Sequence, residues 1–498
     1  MNAKMLRMLE GKKTVGVTCL QFGDTGKGKF VDLLAPWVDI IVRGTGGANA
    51  GHTVYMDGEK HIFHLVPSAI LHDKDGKVNI LGSGTAIDPR ILCEELELLR
   101  RKEKSFDNLL LSLGAKLTLP TQVVRDRVGE GSAGKGRIGT TGRGIGPTYG
   151  DHVTRPGLVV NDLLNPDILV AGVRREAELS ARLLKSYNPD LVKAILNQPD
   201  MGDGIFYHSE AMFDVDAIVQ QYLEYGKMLD RLITDTDRYV QAAVGKKNIL
   251  LEGAQGLLLD VDYGTRPFVT SSNAGIDGLA KGAGLNRSHV DLSLGVMKGF
   301  YMTRVGEGPF PTEFGGEASA NWCRKRTRQY ENEWFSGTTI NDPDELNQGI
   351  ALRMHGDEYG ATTGRPRRTG WLDLPLLRYA MRWGGPDIVM TKLDVLDGMQ
   401  EIKVCTSYIY NGPVYRFGSL AISAGYHLSE AIPCAEVLSH CTPVYETYPG
   451  WEQSIRGVTC FQDLPRNFIN IFNGFSASTR ARPKIISVGP EPDQTIFV

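Results

Sequence analysis

Residues 14–29 read TVGVTCLQFGDTGKGK, and the reading of this stretch decides the fold. Residues 14–22 are a short β-branched and apolar run with the length of a buried strand. The run stops at Gly23-Asp24-Thr25-Gly26-Lys27-Gly28-Lys29, and a helix is expected from Lys27 through Leu34. The segment formally satisfies the phosphate-loop pattern G-x-x-x-x-G-K, with Phe30 in the place of the usual magnesium-binding Ser or Thr. Glycines let backbone N–H groups close on phosphate oxygens, and a helix N-terminus adds a favourable dipole. Asp24 is the unusual member. A carboxylate inside a phosphate cradle is repulsive unless it binds a metal or takes a proton, so a chemical role is expected for it.

Working outward, residues 39–43 read as a second strand ahead of the glycine-rich loop 46–53, GGANAGHT. Residues 248–251 before Gly253, and Asp387–Thr391 before Asp394, repeat the strand-then-loop arrangement. This order predicts an α/β fold, with a large, mostly parallel central sheet, surrounding helices and a P-loop-like architecture. Val215, Ile218, Val219, Tyr222, Tyr225, Leu229, Leu232 and Ile233 recur at helical spacing and predict a core-facing helix. No repeat or low-complexity linker interrupts the chain, so residues 1–498 are expected to form a single elaborated domain. Residues 314–359 are polar and irregular, with a basic cluster at Arg324, Lys325, Arg326 and Arg328; a solvated surface insertion is expected there.

A hydrophobic fraction of 42% and a charged fraction of 23% are ordinary for a soluble globular protein. The net charge of −3 gives no support for general binding to nucleic acid or an acidic membrane. An anionic ligand must therefore be held by local groups. The first 13 residues lack a continuous apolar run, so no secretory signal is expected, and no stretch approaches a membrane span. The seven cysteines are scattered and form no CxxC pair. Reduced thiols in a cytoplasmic enzyme are expected, with no zinc site.

Five further segments carry chemistry. In 46–53, His52 sits among small residues, where it suits a donor to developing charge, although a lone His is commonly structural. Thr391-Lys392-Leu393-Asp394 resembles the base-reading [NT]KxD element of GTP-binding proteins. There, one carboxylate accepts both the ring N–H and the exocyclic amine of guanine, which adenine cannot offer. Residues 362–368, TTGRPRR, read either as an exposed basic loop or as a fork for a small carboxylate. Residues 139–147 (GTTGRGIGP) and 252–256 (EGAQG) are turns rich in backbone donors.

The ordered series GDTGKGK, GGANAGHT, GTTGRGIGPTY, EGAQG, PFVTSSN, TRVGEGPFPTE, TTGRPRRTGW and TKLDVLD resembles the adenylosuccinate synthetase family. The likeness continues through residues 445–451 and 486–490. It implies a GTP-binding enzyme that joins IMP to L-aspartate with magnesium (Mg2+), through a 6-phosphoryl-IMP intermediate, in AMP biosynthesis. By resemblance, Asp24 would be the general base at N1 of IMP, His52 a donor to the transferring phosphoryl group, and Gln255 a further catalytic residue. Magnesium would be held by Asp24 and the Gly51 carbonyl. GTP would meet Gly23, Gly26, Lys27, Gly28, Lys29, Gly51, Thr53, Lys392, Asp394, Ser487 and Gly489. IMP would meet Asn49, Thr141, Gln255, Thr270, Arg365 and, across a homodimer, Arg155 of the other subunit. Aspartate would meet Thr362, Thr363, Arg365 and Arg367. The chain departs from the family at Phe22 and Thr25, where Trp and Glu are usual, and at Ala48, where a second Asn is frequent.

Two other functions stay open on the residues alone. One is the same chemistry on GMP or dGMP, giving a 2-amino product; the other is a non-enzymatic GTP-binding switch. A 2-amino group would crowd a carboxylate lying near N1, so Asp24 favours IMP.

Overall fold

Ten strands form the central sheet: Thr14–Cys19 (β1), Ile40–Arg43 (β2), Val78–Leu81 (β3), Leu109–Ser112 (β4), Ile233–Thr234 (β5), Ile249–Glu252 (β6), Leu292–Lys298 (β7), Asp387–Thr391 (β8), Arg482–Ser487 (β9) and Thr495–Phe497 (β10). Their spatial order is β10-β9-β8-β7-β1-β6-β2-β3-β4-β5. Every neighbouring pair is parallel except β9 and β10, which are antiparallel. The computed structural model describes residues 3–56, 59–72, 76–198, 200, 212–360, 364–491 and 493–498.

β1, β2 and β6 are buried at every residue, as parallel strands covered on both faces must be. Val15 and Val17 join Phe30, Val31 and Leu34 of the helix Lys27–Leu34 in one cluster. Gly16 faces the other way, where a Cβ would come within 2.2 Å of Ile276 Cδ1 on the helix Ile276–Gly282. The absent side chain thus sets how closely that helix approaches the sheet. A second sheet pairs Tyr301–Arg304 with Arg368–Asp373, which in turn joins the long strand Glu401–Tyr410.

The expected elements are largely present. The helix Lys27–Leu34 and the strand Asp387–Thr391 have the bounds read from sequence. The first strand ends three residues early, at Cys19, because Phe22 leaves the sheet to bridge Arg304. The helix over 215–233 is shorter than its periodicity suggested and stops at Leu229. Leu232 lies in a 3-10 turn, and Ile233 pairs with Leu111 of β4 instead. Tertiary pairing at the sheet edge overrides helical spacing there.

Residues 314–359, expected to be irregular and solvated, contain the helices Gly316–Lys325, Arg328–Trp334 and Glu345–Gly356. They close around Glu331 and Arg353, both fully buried and 2.6 Å apart, with Trp322 and Tyr359 also donating to Glu331. The basic cluster is likewise engaged. Arg324 pairs with Glu307, Arg328 pairs with Asp357, and Arg326 lies over the rings of Trp322 and Tyr330. This packing places the end of the segment against the loop beside β1.

On the opposite flank, the helices Pro120–Ser132, Ile145–Thr154 and Pro166–Leu184 pack around Asp151. Arg125 donates to both Asp151 oxygens at 2.8 and 3.0 Å, and Gln122 adds a third bond. Glu176 is fully buried beside them, 3.6 Å from Arg125, with no donor for either oxygen among the described residues. Burial, then the charge of Asp151, pushes its carboxyl up to about 7. The folded protein therefore holds a proton that the unfolded chain releases near pH 4.5. The stability this proton confers is complete below about pH 4.5 and lost as pH rises through 7. Glu176→Gln is expected to raise the unfolding free energy from denaturant titration at pH 8, by up to about 3 kcal/mol from the size of the shift. At pH 4 the gain should vanish, and an equal gain at both pH values would refute the buried-proton account.

Candidate active site

The loop after β1 turns on left-handed residues. Gly23 has φ 87° and Gly26 φ 79°, and between them Asp24 has φ 50°, a conformation that side-chain-bearing residues seldom adopt. Among the described residues, eight non-glycine positions have positive φ. Asp24, Arg155, Gln255 and Lys392 are four of them, so half of these unusual conformations fall on residues singled out for chemistry. The loop is tied to its neighbours from both sides. Lys27 donates to the Gln255 carbonyl at 2.8 Å, and Thr391 Oγ1 donates to the Thr25 carbonyl at 2.9 Å.

Asp24 is joined to the loop of Lys392 and Asp394 through one buried carboxylate. Arg367 Nε lies 2.7 Å from Asp24 Oδ2, and the same guanidinium reaches Glu358 Oε2 at 2.9 Å. Lys298 approaches that oxygen at 2.7 Å, while Lys392 and Tyr301 reach Oε1 at 3.0 and 2.8 Å. Burial alone would raise the Glu358 carboxyl, yet Lys298, Lys392 and Arg367 together hold it well below the usual carboxylate range. Glu358 is ionised at any physiological pH. Lys392 also donates to the Gly356 carbonyl at 2.6 Å, which fixes the chain two residues ahead of Asp394.

The second loop faces the first across β6. Asn49 donates to Thr270 Oγ1 at 3.3 Å, bringing two residues 221 positions apart into one wall. The Gln255 amide packs where a Cβ on Gly46 would come within 2.9 Å of Oε1. Asn49 Oδ1, both polar atoms of the Gln255 amide, and His52 Nε2 find no hydrogen-bond partner among the described residues. Burial and then the Arg43 charge drive His52 well below its ordinary pKa, against a backbone hydrogen bond at Val66. The ring is neutral at pH 7. Such a set of buried, unsatisfied polar atoms is a receptor for a polar ligand.

Most residues singled out from sequence meet here: Gly23, Asp24, Gly26, Lys27 and Gly28 in the first loop, Asn49, Gly51 and His52 in the second, and Gln255, Thr270, Arg367, Lys392 and Asp394 around them. Thr53 lies on the strand His52–Met56. Lys29 points along the sheet edge and donates to Ser487 Oγ at 2.8 Å and the Gly489 carbonyl at 2.7 Å, tying that loop to the helix. Arg365 presents its carbonyl to the Gly360 N–H in the same turn as Arg367. Thr141 and Arg155 are exposed and stand apart from the cluster, Arg155 at the end of the helix Ile145–Thr154. Thr362 and Thr363 lie outside the described residues.

Sequence reasoning missed Glu358, Lys298 and Arg456. A lysine ending the otherwise apolar strand LSLGVMK was the readable signal, because a buried ammonium requires a buried partner. The three arginines of 362–368 are not equivalent either: Arg368 is taken up by Glu313, with Nε 2.9 Å from Oε1, and by the Gly308 carbonyl.

A family model described as adenylosuccinate synthetase matches residues 16–496. The adenylosuccinate synthetase of Halothermothrix orenii is 40% identical over 489 residues, spanning 98% of both chains. That of a Thermoanaerobacter species is 38% identical, spanning 97% of this chain and 99% of its own. Among solved structures, the fully ligated adenylosuccinate synthetase from Plasmodium falciparum superposes with a TM-score of 0.75 at 29% identity, covering 98% of this chain and all of that one. The cyanophage S-2L succinoaminodeoxyadenylate synthetase, solved with dGMP and dATP as an energy donor, reaches 0.51 at 16% identity and shares the fold, over 98% of this chain and 95% of its own.

Removing the charge of Glu358 leaves Arg367 and Lys392, together with Lys298, whose ammonium burial already pulls down to about 7, facing a neutral group in a buried site. Glu358→Gln is expected to lower unfolding free energy by roughly 3–5 kcal/mol, the usual cost of stranding buried charge. Denaturant titration at pH 7 measures this, and a midpoint within error of the unaltered protein would show that the cations are satisfied elsewhere.

Proposed function

The chain belongs to the adenylosuccinate synthetase family, whose members are carbon–nitrogen ligases, and on that premise we propose that it joins IMP to L-aspartate at the expense of GTP. The observation that carries the reading is Asp24, a carboxylate held at φ 50° inside a phosphate loop and backed by Arg367. Asp24 accepts the N1 proton of IMP, which leaves O6 able to attack the γ-phosphorus of GTP. GDP departs, and the resulting 6-phosphoryl-IMP carries a good leaving group at C6. The aspartate amine then adds at C6, loses a proton and expels phosphate. Two easier displacements replace a difficult direct amination, with positioning and electrostatics supplying most of the rate.

The remaining residues divide by what they present. Asn49, Gln255 and Thr270 offer IMP the amide and hydroxyl groups of the second wall, three of whose atoms lack partners among the described residues. His52, neutral before the ligand arrives, gains proton affinity beside a phosphoryl group and can donate to the leaving oxygen. Lys392 and Asp394 read the base of GTP, and Ser487 and Gly489, held by Lys29, form the other edge of that pocket. Arg365 serves the substrate carboxylate and ribose, and Arg367 orients Asp24 towards them. Arg155, exposed at a helix end, completes the IMP site of a second subunit in a homodimer.

Magnesium suits the oxygens at hand. The Asp24 carboxylate and the Gly51 carbonyl are the hard donors this ion takes, and no cluster of three His, Cys, Asp or Glu side chains occurs among the described residues. Two protein oxygens with substrate phosphates filling the shell is an ordinary arrangement for this ion. When bound there, it would neutralise charge between the β- and γ-phosphates.

IMP is favoured over GMP or dGMP, because a 2-amino group would crowd Asp24 beside N1. Purified protein assayed with the three nucleotides tests this, and turnover confined to dGMP would overturn it. Asp24→Asn is expected to cut product formation by about 100- to 10,000-fold, the range for losing a general base, with GTP still bound. Activity within a few-fold of the unaltered enzyme would remove Asp24 from the mechanism.

A further inference from the structure

Asp394 is not an open carboxylate. Arg456 Nε donates to Asp394 Oδ2 at 3.0 Å, and Arg456 Nη2 lies 2.9 Å from the same oxygen. Oδ1 stands outside this pair. The arginine is half-exposed, whereas the carboxylate is buried, so the contact lies at the mouth of the base pocket. Its placement is built in. Asp397, three residues past Asp394, accepts from Trp451 Nε1 at 2.8 Å and from the Ile455 N–H at 3.1 Å. The Arg456 N–H is in turn held by Ser454 Oγ at 3.2 Å. The segment 451–456 is thereby moored to the same short turn that carries Asp394, with Arg456 aimed back at it.

We propose that Arg456 is a specificity-determining residue for the base of the nucleotide donor, acting as a competitor for one oxygen of Asp394. This rests on the assignment of Asp394 to the donor base. Guanine brings two donors to a carboxylate, N1–H and the 2-amino group, and must displace Arg456 from Oδ2 to use both. Hypoxanthine brings N1–H alone; it can take Oδ1 while Arg456 keeps Oδ2 satisfied. Adenine presents an acceptor at N1 and gains nothing from either oxygen. Arg456 therefore weakens GTP binding and shelters ITP from the cost of an unsatisfied carboxylate oxygen. The result is a donor site that separates GTP from ITP less sharply than Asp394 alone would.

The test is steady-state kinetics of the full-length protein with GTP, ITP and ATP as donors, for the unaltered chain, Arg456→Ala and Arg456→Met. Both variants are expected to lower the KM for GTP about two- to five-fold, the range set by a half-exposed ion pair. They should also widen the GTP-to-ITP ratio of kcat/KM by about five-fold or more, because ITP then leaves one carboxylate oxygen without its donor. The KM for IMP should not follow. Met retains the aliphatic stem, so a change shared by both variants identifies the charge. A ratio unchanged in both, a KM for GTP that rises, or an effect confined to Arg456→Ala overturns the proposal. An unaltered enzyme that prefers ATP to GTP would instead sink the donor assignment itself, a separate outcome read from the first row of the same experiment.

Discussion

Glu358 is the constraint on which the site depends. A single buried carboxylate holds Lys298 at the end of β7, Lys392 beyond β8 and Arg367 from the turn before the second sheet. Taking four charges out of water is costly, and the arrangement is tolerable because each Glu358 oxygen meets at least two donors at short range. The consequence is geometric. Asp24, Lys392 and the arginine turn share one anchor, so none of the three can shift alone. The 314–359 helices belong to this account, because the buried Glu331–Arg353 pair fixes the segment that carries Glu358.

The same anchoring explains how left-handed backbone survives at Asp24 and Lys392. Each such residue costs roughly 1–3 kcal/mol in isolation and persists only where its surroundings over-determine it. Asp24 is held by Arg367 at its side chain, and its loop is held by Lys27 and Thr391 on either side. Lys392 is held by Glu358 and the Gly356 carbonyl. Conformations that would relax in a free loop are kept by partners drawn from distant parts of the chain.

Sequence legibility follows from this distribution. The sheet was readable where strands are continuous apolar runs, as at Asp387–Thr391, and the loops were readable because backbone cradles demand glycine at fixed offsets. Boundaries failed where tertiary pairing decides them, as at Ile233, which helical spacing assigned to a helix and β4 claims as a strand. The 314–359 segment was misjudged for a related reason: its charges look solvated one at a time, and only the fold shows Arg353 reaching Glu331. Glu358 and Arg456 carry no local signal. Glu358 draws one partner from as far as Lys298 and Arg456 reaches back to Asp394, 60 and 62 residues away, and a lone Glu or Arg in one sequence does not declare such a contact. The arginine turn was visible as a cluster, but the division of labour between Arg367 and Arg368 depends on which acidic residue each one faces.

The site also shows how a chain of net charge −3 can receive polyanions. Its cations are already partnered: Lys27 with a carbonyl, Lys29 with Ser487 and Gly489, Arg367 and Lys392 with Glu358. Among the described residues, uncharged atoms of the site are left without hydrogen-bond partners, among them Asn49 Oδ1, the Gln255 amide and His52 Nε2. Unpartnered neutral dipoles cost far less to bury than unpartnered charges, so the receptor can be assembled before any ligand arrives. A polar ligand entering there then meets dipoles whose orientation is already set, with no large reorganisation required. Preorganisation here is achieved by satisfying the charges internally and leaving the dipoles for the substrate.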